Sequence, residues 1–219
     1  MGESPTEAGL LTEVFRRLHD AFGPQHWWPG DGPFEVMVGA VLTQNTNWGN
    51  VERAIENLKK AGALAPAAIH GMSRERLAGL IRPAGYFNVK AERLKSLVGF
   101  LVGRYSGRVS RMKRVGTERL RRQLLEVKGV GPETADSILL YALERPVFVI
   151  DAYTKRVLSR HGIMDASASY DRFQELFHAS LPGDVRLFNE YHALLVRLGK
   201  DFCRPRPRCE RCPLSGLPS

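Results

Sequence analysis

An all-α fold is predicted by three observations along the 219 residues. Apolar residues recur at helical spacing through most of the chain, strand-type alternation is nearly absent, and Gly, Pro and capping residues break the pattern at helix-length intervals. Hydrophobic residues make up 43% and charged residues 25%, the balance of a globular domain with enough chain to bury a core.

The elements follow in order. Leu10, Leu11, Val14, Phe15, Leu18 and Phe22 mark a first amphipathic helix, for which Ser4 would be the N-cap, Pro5 the first helical position and Glu7 the third. Phe34 to Leu42 is apolar nearly all round, the mark of a buried central helix. Val51, Ala54, Ile55 and Leu58 form the inner face of the next. Ser73 caps a short helix through Ile81, stopped by Pro83 and Gly85, and Asn88 caps another that turns Leu94, Leu97, Val98 and Leu101 inward. Further helices are expected over 117–126, 132–143, 152–161, 170–179 and 187–198. Val147 to Ile150 is one isolated apolar run and reads as a buried connector.

Charge narrows the partner. Thirty-two Lys and Arg against 23 Asp and Glu leave +9, which favours a polyanion, either nucleic acid or a membrane surface. No segment approaches the ~20 apolar residues of a membrane span. The N-terminus lacks the basic and apolar regions of a secretion signal. Gly2 and Thr6 match a short myristoylation pattern, but Pro5 falls inside it and the match reads as chance. All three cysteines, Cys203, Cys209 and Cys212, fall within the last 17 residues. That clustering suggests a metal or cluster site in a reducing compartment, where a secreted disulfide protein would spread its cysteines.

Residues 124–135 read Leu-Leu-Glu-Val-Lys-Gly-Val-Gly-Pro-Glu-Thr-Ala. Two helices flank a tight turn in which Gly129 and Gly131 can take positive φ and Val130 can plug into the core. The turn's backbone N–H groups are then free to face a phosphate. Here the chain resembles the helix-hairpin-helix DNA glycosylases of the endonuclease III superfamily. The resemblance extends to Val149-Ile150-Asp151-Ala152-Tyr153-Thr154 after the hairpin and to Gly39-Ala-Val-Leu-Thr-Gln-Asn-Thr46. It takes in Arg82-Pro-Ala-Gly-Tyr-Phe-Asn-Val-Lys-Ala91 and Cys203-x5-Cys209-x2-Cys212-Pro213.

The resemblance implies a two-lobed fold. A six-helix barrel lobe over 30–137 would end in the hairpin, a second lobe would combine 1–29 with 138–219, and the base pocket would lie between them. It implies double-stranded DNA with a damaged base as the partner, a monomer, no membrane, and a cytoplasmic, nucleoid-associated location in a bacterium or archaeon. It places a catalytic carboxylate at Asp151, which as N-cap of the next helix would stay ionised, stabilise an oxocarbenium-like sugar and activate water. It makes Gln44 a DNA-inserting residue, with Lys128, Gly129, Val130, Gly131 and Thr134 as hairpin contacts to DNA. Of Arg111, Lys113, Arg114, Arg119, Arg121, Arg122, Lys155 and Arg156, most would be solvated and some would touch phosphates. Tyr86 and Asn88 are weaker groove candidates. Trp27, Trp28 and Trp48 look like the stacking residues of the 3-methyladenine glycosylase branch.

Two departures qualify the match. Bifunctional members carry a lysine where this chain has Glu133, so the resemblance implies a monofunctional, water-using glycosylase for alkylated purines such as 3-methyladenine. A glycosylase for mismatched or damaged pyrimidines, or a non-catalytic lesion-binding protein, are the alternatives. The family's [4Fe–4S] cluster uses four thiolates, and the fourth would fall near Pro218. Three cysteines hold such a cluster only with a further ligand.

Overall fold

The computed structural model describes residues 6–28 and 30–217. Among these the secondary structure is helical throughout, with no strand. The chain divides into two compact units, Pro29–Arg145 and Met1–Trp28 with Pro146–Ser219.

The first unit is built on α2, Pro33–Leu42. Pro33 opens this helix with a φ already suited to it, and every side chain from Val36 to Leu42 is buried. Helix α3, Trp48–Lys60, is capped by the Asn47 side chain on Asn50 N at 3.1 Å and packs on α2 through Val51, Ala54, Ile55 and Leu58. Two short helices, α4 (Pro66–Gly71) and α5 (Arg74–Leu80), follow; Ser73 caps α5 as its sequence suggests. A 3₁₀ turn, Arg82–Ala84, leads into the long helix α6, Phe87–Tyr105.

The expected cap at Asn88 is not used. Residue 86 precedes α6 in the left-handed region at φ 44° and makes no side-chain cap, so Asn88 falls inside the first turn. Helix α7, Val109–Met112, is a single turn, and α8 spans Thr117–Leu125. The hairpin follows, then α9, Pro132–Ser137. The expected helix to residue 143 continues as a π-helical stretch, Ile138–Ala142, which packs against α2. Isolated short helices such as α4 and α7 have little periodicity to betray them, and tertiary contacts hold them.

In the second unit α1, Glu7–Phe22, is capped by Thr6, whose Oγ1 accepts from Gly9 N at 3.2 Å. The start proposed at Ser4 and Pro5 lies outside the described residues. Helices α10 (Ala152–Arg160), α11 (Tyr170–Ser180) and α12 (Val185–Asp201) complete the unit. Helix α12 packs on both α1 and α10, and the buried Tyr191 hydroxyl donates to Leu11 O at 2.8 Å.

The connector 147–150 is buried and is not a strand. Side chains satisfy its backbone instead. Phe148 N donates to His178 Nε2 at 2.9 Å, Gln174 Nε2 donates to Phe148 O at 2.7 Å, and Ile150 N donates to the Tyr170 hydroxyl at 3.3 Å. The Phe148 ring stacks on Phe177 at 3.6 Å between centroids. This pinned segment delivers the chain to Asp151.

Candidate active site and DNA interface

Asp151 is the N-cap of α10, and its Oδ1 accepts from Thr154 N at 2.7 Å. It is 9% exposed. Its second oxygen, Oδ2, lies 3.7 Å from Nε2 of His192, a buried residue of α12. Burial holds the His192 imidazole below its ordinary pKa, the Asp151 charge pulls the other way, and Lys200 adds to the depression. At neutral pH the carboxylate therefore faces a neutral ring. One oxygen is spent on the helix end, and the other can present charge to a developing cation.

The same unit holds the first two tryptophans. The Trp27 and Trp28 rings are 5.5 Å apart and tilted by 59°. The Lys200 ammonium lies 5.9 Å from the Trp27 ring centroid, and its charge also lowers the pKa of the buried His192. Trp48 belongs to the other unit. Its Nε1 donates to Glu52 Oε1 at 2.7 Å on the wall of a groove of about 640 Å³, together with Arg53, Lys59 and Pro83.

The hairpin joins α8 to α9. Gly129 has φ +87°, and a Cβ there would overlap Cγ of Arg93 and come within 3.0 Å of its Cδ. Gly129 therefore satisfies two demands, a left-handed turn and a close approach. Gly131 differs from the expectation of positive φ. It is extended at φ −94°, with open space where a Cβ would stand. Val130 is buried and plugs the turn into the core. A bidentate pair clamps the two flanking helices: Arg121 Nε and Nη2 donate to the two oxygens of the fully buried Asp136 at 2.7 and 3.0 Å.

Gln44 sits in the turn after α2, with its side chain laid against the hairpin. Its Nε2 donates to Gly129 O at 3.2 Å and to Thr134 Oγ1 at 2.9 Å, and its Oε1 accepts from Arg93 Nη1. Thr134 is itself buried. Lys128 is exposed and pairs with Glu92 at 2.6 Å. Glu133 occupies the first turn of α9 and is exposed. Tyr86, 72% exposed, and Val89 are the large apolar side chains left at the surface among the described residues, next to the start of α6. Asn88 is exposed on the same turn.

Several expected phosphate ligands have partners within the protein. Arg111 donates to Ser106 Oγ, Lys113 pairs with Glu144, and Lys155 lies 5.1 Å from the Phe173 ring centroid. Arg156 donates to Cys203 O at 2.6 Å and Gly199 O at 2.9 Å. Arg114, Arg119 and Arg122 are exposed.

The cysteine loop carries three thiols, one short of a four-thiolate cluster. Cys203 is buried, Cys209 exposed and Cys212 half-buried. Among the described residues no group of three or more His, Cys, Asp or Glu side chains is arranged to hold a metal ion. Burial pushes the Cys212 thiol up, and the charges of Cys203 and Cys209 add to the shift. The loop is held instead by arginines of α10. Arg160 donates to Arg204 O and to Pro205 O, beside the Arg156 contacts, and its Nη1 lies 3.5 Å from Cys203 Sγ.

With this geometry in hand, the model of the HhH-GPD superfamily of base excision DNA repair proteins matches residues 38–182, more than half of the chain. The chain belongs to the HhH-GPD superfamily. It is 47% identical to a protein of Methanocaldococcus jannaschii provisionally named a DNA repair glycosylase, over 94% of each chain. Among solved structures, it resembles the H. pylori 3-methyladenine DNA glycosylase bound to 1,N6-ethenoadenine. The identity is 29% and the TM-score 0.76, covering 89% of this chain and 97% of that one. A non-covalent endonuclease III–DNA complex shares the fold at TM-score 0.82 and 22% identity, covering 96% of this chain and 94% of that one. This HhH-GPD protein is thus a base excision repair DNA glycosylase by family.

Residue patterns alone missed His192, Lys200, Lys90, Arg93 and Asp136. Lys90 left a signal: it falls on the inward face of α6 with Leu94 and Leu101, and a lysine in an apolar stripe is rarely solvated. His192 sits in an apolar stretch of α12 for the same reason.

Proposed function

We propose that this protein is a monofunctional glycosylase for alkylated purines, with Asp151 as its catalytic carboxylate. The observation that carries the proposal is the division of labour at Asp151, whose Oδ1 caps α10 while Oδ2 remains to face charge. In the proposed reaction the bond between C1′ and the base nitrogen breaks, its electron pair leaves with the base, and C1′ becomes cation-like. Water then adds to C1′ and gives up its proton to Asp151 or solvent. The carboxylate lowers the barrier because its charge is already in place when the cation forms.

Glu133 supports the monofunctional reading, since a carboxylate cannot form the imine on which strand cleavage depends. The Trp27 and Trp28 rings support an alkylated, cationic base, which an indole face attracts. The likeness to the H. pylori 3-methyladenine enzyme points the same way. Lys128, Gly129 and Gly131 form the turn that meets the DNA backbone, with the buried Val130 and Thr134 supporting it from within, and Gln44 is the residue that enters the duplex; Tyr86 is a weaker groove candidate. Trp48 is the third stacking candidate.

The test is free-base release from duplexes carrying 3-methyladenine, uracil, or an oxidised pyrimidine, with borohydride present in parallel. Release of the methylated purine with intact strands and no trapped protein is expected. Release confined to pyrimidines would overturn the lesion assignment. Efficient trapping would show that a lysine reaches the sugar, and absence of any release would leave a lesion-binding protein.

A further inference from the structure

Two side chains of α6 converge on the turn that carries Gln44. Lys90 is buried, and its Nζ donates to Leu42 O at 2.8 Å and Ala84 O at 2.7 Å. It thereby satisfies a carbonyl that the end of α2 would otherwise leave bare. One turn further along α6, Arg93 donates to the Gln44 side-chain oxygen, while its aliphatic stem packs on Gly129. Both ends of the Gln44 amide are engaged by these contacts: oxygen by Arg93, nitrogen by Gly129 O and Thr134 Oγ1. All of these groups lie within one compact unit. A side chain so held is not extended toward a DNA base step.

We propose that Arg93 is a positioning residue that holds Gln44 in reserve against the hairpin, so that Gln44 engages DNA only by exchanging its hairpin partners. This rests on the DNA-facing reading of Gln44 given above. The consequence is a coupling. The contacts that stabilise the hairpin for backbone binding are the ones surrendered when Gln44 enters the duplex. Undamaged DNA, which opens no space for Gln44, is bound with the latch closed. A site that already lacks a base accepts Gln44 and is bound with the latch open. Arg93 therefore sets the preference between the two without touching the base.

The test measures binding of the full chain to two otherwise identical duplexes by fluorescence anisotropy at fixed salt. One duplex is undamaged and the other contains a tetrahydrofuran abasic analogue. Arg93→Met keeps the unbranched stem beside Gly129 and removes the guanidinium. Its preference for the abasic duplex should rise about three- to tenfold, the worth of the one released hydrogen bond. Thr134→Val, which removes an acceptor of the Gln44 amide, should shift the preference in the same direction and serves if Arg93→Met does not fold. Gln44→Ala should lower the preference, and in that background Arg93→Met should change nothing.

Equal loss on both duplexes in Arg93→Met would make Arg93 a plain phosphate contact or brace and overturn the latch. So would a gain that survives in Gln44→Ala. If Gln44→Ala lowers the preference and neither other variant raises it, the latch alone fails. If Gln44→Ala leaves the preference unchanged, the DNA-facing role of Gln44 fails and the latch with it.

Discussion

At the residue scale, the capping duty of Asp151 and the catalytic duty proposed for it can be separated by one substitution. Asparagine caps helices as well as aspartate does, so Asp151→Asn should keep the hydrogen bond to Thr154 N and the fold. It removes the charge and nothing else of size. Base release should fall by at least about 10²-fold while abasic-duplex binding persists, read by single-turnover kinetics beside anisotropy. Near-normal release would take Asp151 out of the mechanism. His192 adds a pH signature. Its folded pKa is held below the ordinary 6.5 by burial, against the pull of Asp151 and with the push of Lys200. The unfolded chain therefore binds more protons, and stability drops as pH falls through and below 6.5. His192→Gln should lose part of that drop, so denaturant unfolding at pH 7.5 and 5.5 should show a smaller difference in the variant. An equal difference in both proteins would assign the acid sensitivity elsewhere.

At the element scale, the hairpin's two glycines are not equivalent. Gly129 combines φ +87° with the Arg93 stem at its Cα, whereas Gly131 is extended and opens onto free space. Gly129→Ala should cost stability and, with the turn in its proposed role of meeting phosphate and reading no base, weaken binding to damaged and undamaged duplexes alike. Gly131→Ala should be tolerated within about 0.5 kcal/mol. Thermal unfolding together with binding to both duplexes checks the contrast, and a larger defect at Gly131 would contradict this turn geometry. The Gly-x-Gly pattern located the hairpin but could not rank its glycines, because that ranking depends on a side chain 36 positions upstream in α6. The connector before Asp151 shows the opposite case. As one isolated apolar run it reads as a buried connector, and the structure supplies the reason in His178, Gln174 and Tyr170, which satisfy its backbone.

At the scale of the whole molecule, the +9 charge predicts how DNA binding responds to salt. Many cationic side chains already have internal partners, among them Arg121, Arg156, Lys155 and Lys113. Phosphate neutralisation then falls to a subset that includes Arg114, Arg119 and Arg122. With about 4–6 phosphates neutralised, log K should fall against log salt with a slope of about −4 to −5. A flat response would reduce the surplus charge to a solubilising role. Among the described residues no helix is long and apolar enough to cross a membrane.

What the sequence determined by itself was whatever is written locally. Helical periodicity, capping residues such as Ser73 and Asp151, the hairpin's turn chemistry and the order of motifs all depend on neighbours a few positions away. From these the all-α class, the family and the candidate carboxylate could be read. Tertiary structure alone decided which polar side chains meet. Arg93 with Gln44, Arg121 with Asp136, His192 with Asp151 and Arg160 with the cysteine loop join residues from 15 to 49 positions apart. A buried charge or amide is stable only where its partners converge on it. That convergence is a property of how helices pack, and a single sequence records it only as a polar residue standing where its helix should be apolar.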